Sequence, residues 1–136
     1  MKKILVIDGQ GGRIGALVVG EIKKKFPSAE ITAVGTNVIA TGAMLKAGAD
    51  NGATGENPVV VAARTADVII GPIGIVLADA LFGEVTAKMA AAVGQSPAEK
   101  LLIPLNKCQT FVVGVEERTA GEYVALTVKK LEEMLS

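Results

Sequence analysis

Residues 3–15 carry the strongest structural signal in the chain and read KILVIDGQGGRIG. The apolar run at residues 3–7 is typical of a buried strand. A glycine-rich turn follows it, and residues 13–26 then place apolar side chains at helical spacing. The apolar face of this helix consists of Ile14, Leu17, Val18, Ile22 and Phe26. A strand, a glycine-rich turn and an amphipathic helix in this order indicate the start of a Rossmann-type unit.

The rest of the chain continues the alternation of short apolar runs and helical segments, which predicts a parallel sheet covered by helices. The predicted strands after the first cover residues 31–34, 67–70, 101–103 and 111–115. Residues 49–57 are predicted to form a loop with room for a very short strand. The predicted helices cover residues 38–47, 58–64 with Asn57 as N-cap, one turn opened by the capping box at 96–99, and a C-terminal segment opened by the capping box at 119–122.

The last two predicted strands are joined by only seven residues, 104–110. A parallel crossover needs a dozen or more residues, so the last strand is expected to be an antiparallel edge. The predicted fold class is therefore α/β. It is a single Rossmann-like three-layer domain over residues 1–136, with a mostly parallel sheet and an antiparallel edge strand.

Composition and charge exclude several functions. The sequence has 14 basic and 14 acidic residues and only three Phe and one Tyr, so no nucleic-acid partner is expected. His is absent, which excludes catalysis by a His base and almost every zinc site, and no metal site is predicted. The single Cys108 suits a reducing compartment. No apolar run approaches the ~18 residues of a membrane span, so a cytoplasmic protein with no membrane partner is expected.

The glycine-rich turn after the first strand is predicted to bind a phosphate, because backbone N–H groups at a helix N-terminus favour an anion. Its candidate binding residues are Asp8, Gly9, Gln10, Gly11, Gly12, Arg13 and Gly15. The spacing departs from G-x-G-x-x-G because Ile14 stands where the third Gly belongs. It is closer to the G-x-x-x-G-I-G loop of short-chain dehydrogenases, with Arg13 in place of the middle Gly. Arg13 either contacts a phosphate or occludes its place. In a second interpretation, the glycines only form the turn.

Polar residues after the other strands complete the predicted site, since ligands of open parallel sheets bind beyond the carboxyl ends of the strands. These residues are Thr36, Asn37, Gly71, Asn106 and Lys107. The acid that usually holds a ribose at the end of the second strand is missing, and Asn37 is equally suited to cap the next helix. Lys107 is as well explained as a solvated loop residue as by a ligand contact.

No catalytic residue is assigned from the sequence, and whether the chain is an enzyme stays open. Tyr123 lacks the Lys four residues later that short-chain dehydrogenase chemistry needs. Cys108 has no His to activate it and is interpreted as a packed small residue. Asp8 is interpreted either as a base or metal ligand, or as the residue that holds the N–H groups of the loop.

Five segments of the chain resemble, in combination, the small bacterial proteins of domain of unknown function family 3842. The segments are residues 7–12, 35–37, 53–57, 70–75 and 104–108. The resemblance spans nearly the whole chain and implies no established activity. It also implies that relatives tend to carry Gly at the position of Arg13, which would complete the short-chain dehydrogenase loop.

Two functions follow as hypotheses. In the first, the protein binds a nucleotide, such as NAD(P), or another small phosphorylated molecule on the glycine-rich turn. In the second, it is a non-catalytic regulatory or assembly protein. Residues 73–93 are apolar nearly all round, which in a domain this small predicts a homo-oligomer contact through that segment.

Overall fold

A computed structural model describes residues 2–105 and 109–136 of the chain and contains one five-stranded sheet. Its strands are β1 (Ile4–Asp8), β2 (Ile31–Gly35), β3 (Asn51–Thr54), β4 (Val68–Pro72) and β5 (Glu99–Ile103). They lie in the order β3-β2-β1-β4-β5, and each described pairing is parallel. This order is that of the Rossmann fold, with β1 at the centre and the strand order reversing between β1 and β4.

Helices cover both faces of the sheet. They are α1 (Arg13–Lys25), α2 (Val38–Lys46), α3 (Glu56–Thr65), α4 (Ala87–Gln95) and α5 (Ala120–Leu135). Helix α1 packs between α2 and α5, while α3 packs against α4. Successive residues of β1 point to opposite faces, so Val6 lies in the core beneath α1 and Leu5 lies in the core beneath α3 and α4. Burial on both faces explains why the central strands are continuous apolar runs.

The predicted antiparallel edge strand at residues 111–115 is wrong. The backbone N–H of Val115 donates to the carbonyl of Val112 at 3.3 Å, and Gly114 has a φ of 85°. This turn breaks the apolar run, which contributes no strand. Within the described residues, the sheet is entirely parallel, and β3 and β5 are its edge strands.

Two helix starts also differ from the sequence prediction. Helix α3 begins at Glu56 rather than beyond Asn57, because Gly55, with a φ of 105°, reverses the chain directly after β3. Residues 96–99 form no helical turn. Instead the Ser96 hydroxyl donates to the carbonyl of Ala63 at 2.6 Å and accepts from the N–H of Ala98. The short strand within 49–57 and the capping box at 119–122 are confirmed.

The apolar segment at residues 73–93 is not one helix. One 3₁₀ turn, Ile73–Val76, is followed by a series of turns at residues 77–86, here called the 77–86 loop, and then by α4. Five large apolar side chains of the segment pack inside the chain, namely Ile75, Leu81, Val85, Met89 and Val93, whereas Phe82 is exposed. Intramolecular burial thus accounts for most of the apolar character, and the homo-oligomer contact stays a prediction. No helix within residues 2–105 and 109–136 combines the length and apolar character needed to cross a bilayer.

Candidate functional site

The candidate site lies where the strand order reverses, at the carboxyl end of β1. Strands β1 and β2 stay paired as far as Asp8 and Gly35, whereas the pairing of β1 with β4 ends at Val6 and Ile70. The two central strands therefore part before the glycine loop, residues 9–12, begins. Such a crevice is the usual ligand position of this architecture.

Asp8 anchors the glycine loop. Its Oδ1 accepts from the N–H of Gly9 at 2.8 Å, and its Oδ2 accepts from the N–H of Gly15 at 2.7 Å. Burial raises the pKa of the Asp8 carboxyl above its ordinary value, against the opposing effect of the two N–H donors. Both oxygens are engaged, so the geometry supports the interpretation in which Asp8 holds the loop. In the described part of the chain, no three acidic or thiol groups converge as metal ligands.

Three of the predicted site glycines are buried packing residues. A Cβ on Gly12, whose φ is 71°, would lie 2.7 Å from the Cα of Ala40 in α2. A Cβ on Gly15 would lie 2.6 Å from the Sδ of Met44. A Cβ on Gly71 would collide with the carbonyl oxygen of Ile7. These glycines let α1, α2 and the central strands approach one another closely, and their contact with a ligand stays a prediction.

Glu84, which the sequence analysis did not select, lies at the centre of the site. Its Oε1 accepts three hydrogen bonds, from the N–H of Gln10 at 2.8 Å, Thr36 Oγ1 at 2.5 Å and Asn37 Nδ2 at 2.9 Å. Partial burial pulls the pKa of Glu84 upward, but the hydrogen bonds from these donors outweigh it and hold the pKa below its ordinary value. The carboxylate is thus an anion bound by the glycine loop and the end of β2.

This contact corrects the expectation that the turn presents its amides freely to a ligand. The N–H groups of Gly9 and Gly15 bind Asp8, and that of Gln10 binds Glu84. The N–H of Gly12 donates to the carbonyl of Gly9 at 2.9 Å, within the loop itself. Among the described residues, the N–H groups of Gly11, Arg13 and Ile14 have no acceptor, and they remain at the N-terminus of α1.

Thr36 and Asn37 connect β2 to both the loop and the next helix. The Oδ1 of Asn37 accepts from the N–H of Ala40 at 2.9 Å, which confirms Asn37 as the N-cap of α2. Its Nδ2 donates to the carbonyl of Gln10 at 3.0 Å as well as to Glu84. Asn37 therefore both caps α2 and lines the site. The acid that lies at the end of β2 is Glu84, which comes from a distant part of the chain.

The surroundings of this site are unusually apolar for an exposed surface. Val38 and Ile39, which directly follow Asn37, are 74% and 70% exposed, and Phe82, two residues before Glu84, is 99% exposed. Arg13 is also exposed, and within residues 2–105 and 109–136 it has no ion-pair partner. Asn106, Lys107 and Cys108 lie outside the described residues.

Two grooves of the described surface lie away from the glycine loop. One of about 460 Å³ lies between α3 and α4, where Arg64 and Lys88 are among the lining residues, and one of about 530 Å³ lies between α1 and α5. At the glycine loop the crevice is filled by the chain itself. A Cβ on Gly9 would lie 2.8 Å from the Cδ1 of Leu81 and 2.9 Å from the Oε1 of Glu84.

A weak signal for Glu84 was present in the sequence. Residues 73–93 contain only three charged residues, Asp79, Glu84 and Lys88. Glu84 directly follows Gly83 in a segment that leaves the carboxyl end of β4. An isolated acid in such a place is a candidate for the ligand edge of the sheet, but its partners are not recognisable from local spacing.

The fold and the position of the glycine loop define a Rossmann-like α/β protein. The chain belongs to the family described as domain of unknown function (DUF3842), whose model matches residues 3–136 and confirms the resemblance found in the sequence. No curated protein matches the chain. Among solved structures, it is similar to a crystal structure of a dodecameric FMN-dependent Ubix-like decarboxylase from Escherichia coli O157:H7. The TM-score is 0.50 at 14% identity, over 97% of this chain and 94% of that one, which shows a shared fold.

Proposed function

We propose that the protein binds a small phosphorylated ligand of the nucleotide class at the glycine loop. One observation carries this proposal: the N–H of Gln10, the hydroxyl of Thr36 and the amide of Asn37 converge on a single anionic oxygen. A phosphate oxygen makes the same demands as a carboxylate oxygen, namely donors aimed at a negative charge. We call these three donors the anion hole.

The N-terminus of α1 extends the anion hole. The free N–H groups of Gly11, Arg13 and Ile14 lie there, where the helix dipole favours negative charge. The Arg13 guanidinium adds a positive charge that is suited to a phosphate fork. Asn106 and Lys107 remain in the proposal as contacts expected from the sequence alone.

The apolar residues beside the anion hole support a nucleotide rather than a bare phosphate. Ligand sites combine apolar contact area with a few placed polar groups, and the exposed side chains of Val38, Ile39 and Phe82 offer such area to a base or ring. FMN belongs among the ligands to test, because the structurally similar decarboxylase is described as FMN-dependent.

A thermal-shift panel of NAD, NADP, ATP, GTP, FMN and sugar phosphates tests the proposal. A ligand present at 100 times its dissociation constant adds about 2.7 kcal/mol to the free energy of unfolding, which a melting curve resolves. At least one phosphorylated compound is expected to raise the melting temperature, and the matching unphosphorylated nucleoside is expected not to. If no compound of the panel raises it, the protein does not bind these ligands.

Arg13→Ala is expected to weaken binding of the phosphorylated compound by about 1.5–3 kcal/mol, the usual contribution of a hydrogen bond to a charged group. Isothermal titration calorimetry on wild type and variant measures the difference. Arg64→Ala is the matched control, because it removes an exposed Arg at the opposite end of the sheet. Unchanged or improved affinity in Arg13→Ala would show that Arg13 is a bystander or an obstruction.

Self-assembly is the second candidate function, favoured by the same exposed apolar residues. Large exposed apolar side chains are candidates for interaction sites, and Phe82 has no burial within the described chain. In this proposal, copies of the chain meet through Val38, Ile39 and Phe82, of which Phe82 belongs to the predicted 73–93 contact.

Phe82→Asn is expected to shift an oligomer toward monomer in light scattering without lowering the free energy of unfolding. Asn tolerates the positive φ of 57° at this position better than Phe does, and no buried contact is lost. Leu126→Gln, which changes a half-exposed apolar residue on α5, is the control and should leave the mass unchanged. A wild-type protein that scatters as a monomer removes this candidate.

A further inference from the structure

We propose that Glu84 is an internal ligand of the anion hole, and that a phosphoryl group of the bound molecule takes its place. This inference rests on the proposed function and specifies how the site is controlled. In the closed form described above, the Glu84 carboxylate satisfies the donors that an external anion needs. Binding then requires that Glu84 leaves them, so the 77–86 loop acts as a latch on the site.

The contact of Glu84 is one-sided. All of its hydrogen bonds from the described residues are made by Oε1, and Oε2 receives none. Among the described residues that are not fully exposed, every completely buried side-chain oxygen or nitrogen has a hydrogen-bond partner. Oε2 of Glu84 has no partner in the described part of the chain, so it is not completely buried and is reached by water. The carboxylate is therefore held by one oxygen at the surface of the protein. A phosphate can offer more oxygens and more charge to the same donors and to the free N–H groups of α1.

The backbone of the 77–86 loop is strained when the latch is closed. Asp79, Leu81 and Phe82 have φ values of 67°, 57° and 57°. The left-handed region is unfavourable for residues with a Cβ, and for bulky residues such as Leu and Phe it is uncommon. This conformation persists only where contacts hold it. Clusters of such residues occur at ligand clamps and switch regions, which is consistent with a movable loop.

Two side chains hold the loop over the glycine loop. Leu81 is 3% exposed, and its Cδ1 lies against the α-carbon of Gly9, where an added Cβ would collide with it. Glu84 supplies the polar contact beside it. Phe82 at the tip is fully exposed and contributes nothing to closure. Opening thus removes Leu81 from the apolar core and breaks the hydrogen bonds of Glu84.

The expected effect of removing the latch follows from the population of the open form. A minor conformation separated by a few kcal/mol is populated at about 0.1–10%. A ligand that binds only this conformation has an apparent affinity reduced to the same fraction of its intrinsic affinity. Replacing Glu84 by Ala abolishes the internal competitor and should therefore raise affinity about 10-fold to 1,000-fold. Glu84→Gln keeps an acceptor oxygen without the charge and should give an intermediate increase.

Inorganic pyrophosphate is the probe, titrated by calorimetry into wild type, Glu84→Ala, Glu84→Gln and the control Glu21→Gln. Glu21 is an exposed acid on α1 that pairs with Lys24 at 3.4 Å, so its replacement removes the same charge without touching the anion hole. The expected order of affinity is Glu84→Ala, then Glu84→Gln, then wild type, with Glu21→Gln matching wild type. Equal pyrophosphate affinity in all four proteins overturns the latch and leaves the proposed function standing. Failure of all four proteins to bind pyrophosphate also overturns the latch, whereas the thermal-shift panel decides the proposed function.

Amide hydrogen exchange at Gln10 gives a second readout that needs no ligand. The N–H of Gln10 donates to Glu84 in the closed form, so its exchange should be at least about 10-fold faster in Glu84→Ala than in wild type, with Glu84→Gln between them. Amides of β1 in the same samples report whether the variants are folded. An unchanged exchange rate at Gln10 in folded Glu84→Ala or Glu84→Gln overturns the latch.

Discussion

Gly12→Ala is expected to lower the free energy of unfolding by about 2–4 kcal/mol. The left-handed φ of 71° at this position costs about 1–2 kcal/mol for a residue with a Cβ. The added Cβ would also lie 2.7 Å from the Cα of Ala40 and 2.9 Å from its carbonyl oxygen, and such overpacking typically costs about 1–3 kcal/mol. Because the obstacle is the backbone of α2, the clash cannot be relieved by a side-chain rotation.

Gly20→Ala is the matched control for Gly12→Ala. Gly20 lies within α1, and a Cβ there would meet no heavy atom within 4 Å. Ala in a helix interior is favoured over Gly by about 0.5–1 kcal/mol, so this variant should be more stable than wild type. Chemical denaturation measures both. Near-wild-type stability of Gly12→Ala would mean that the loop can move away from α2, contrary to the packing described here.

Asp8→Asn is expected to destabilise the protein by about 1.5–3 kcal/mol, the usual range for a hydrogen bond to a charged group. Asn has one acceptor oxygen, so it can accept from only one of the N–H groups of Gly9 and Gly15 and sets an NH₂ donor against the other. Asp67→Asn is the control, because Asp67 is exposed and accepts a single backbone N–H, that of Lys3. Its effect should stay within about 0.5 kcal/mol.

The destabilisation caused by Asp8→Asn should also depend on pH. Burial raises the pKa of Asp8 in the folded protein above its ordinary value of 3.8. Such a group contributes stability that is fully present below its unfolded pKa and is lost as pH rises through its folded pKa. The free energy of unfolding of wild type therefore rises relative to that of Asp8→Asn as pH falls. The difference between the two proteins should be larger at pH 4 than at pH 7. A difference that shrinks on acidification would show that the pKa of Asp8 is not raised.

The two acids of the site act in opposite directions on stability. Burial raises the pKa of Asp8, whereas hydrogen bonds from three donors hold the pKa of Glu84 below its ordinary value. The stability that Glu84 contributes is present above its ordinary pKa and is lost as pH falls through its lowered folded pKa. Asp8 thus binds the N–H groups of Gly9 and Gly15, and Glu84 binds the N–H of Gln10.

The Rossmann-like architecture was predictable from local sequence patterns. The strand–turn–helix at residues 3–26, the N-cap at Asn37 and the capping box at 119–122 each involve residues within a few positions of one another. The family resemblance was likewise readable from short segments and is confirmed. The prediction of an edge strand was wrong because Gly114 forms a turn inside an apolar run, and hydrophobic periodicity alone does not reveal a turn.

The sequence predicted where the candidate site lies in the fold, but it did not predict that Glu84 binds there. The sequence located the glycine loop, Thr36 and Asn37 at one edge of the sheet, since the carboxyl ends of parallel strands meet there. It did not show that Gly12, Gly15 and Gly71 serve packing, because close approach depends on which helices lie against the loop. Nor did it show the anion that the loop already holds.

The sequence by itself determined the class of fold, the position of the glycine loop and the turns around it, because those features follow from neighbouring residues. Only the tertiary structure decided what faces the loop. Glu84 is 74 positions from Gln10 and 48 from Thr36. It contacts them because β4 lies beside β1 and the 77–86 loop, which follows β4, crosses the end of β1. Contacts between such distant residues depend on how the strands are ordered, which short-range patterns do not encode.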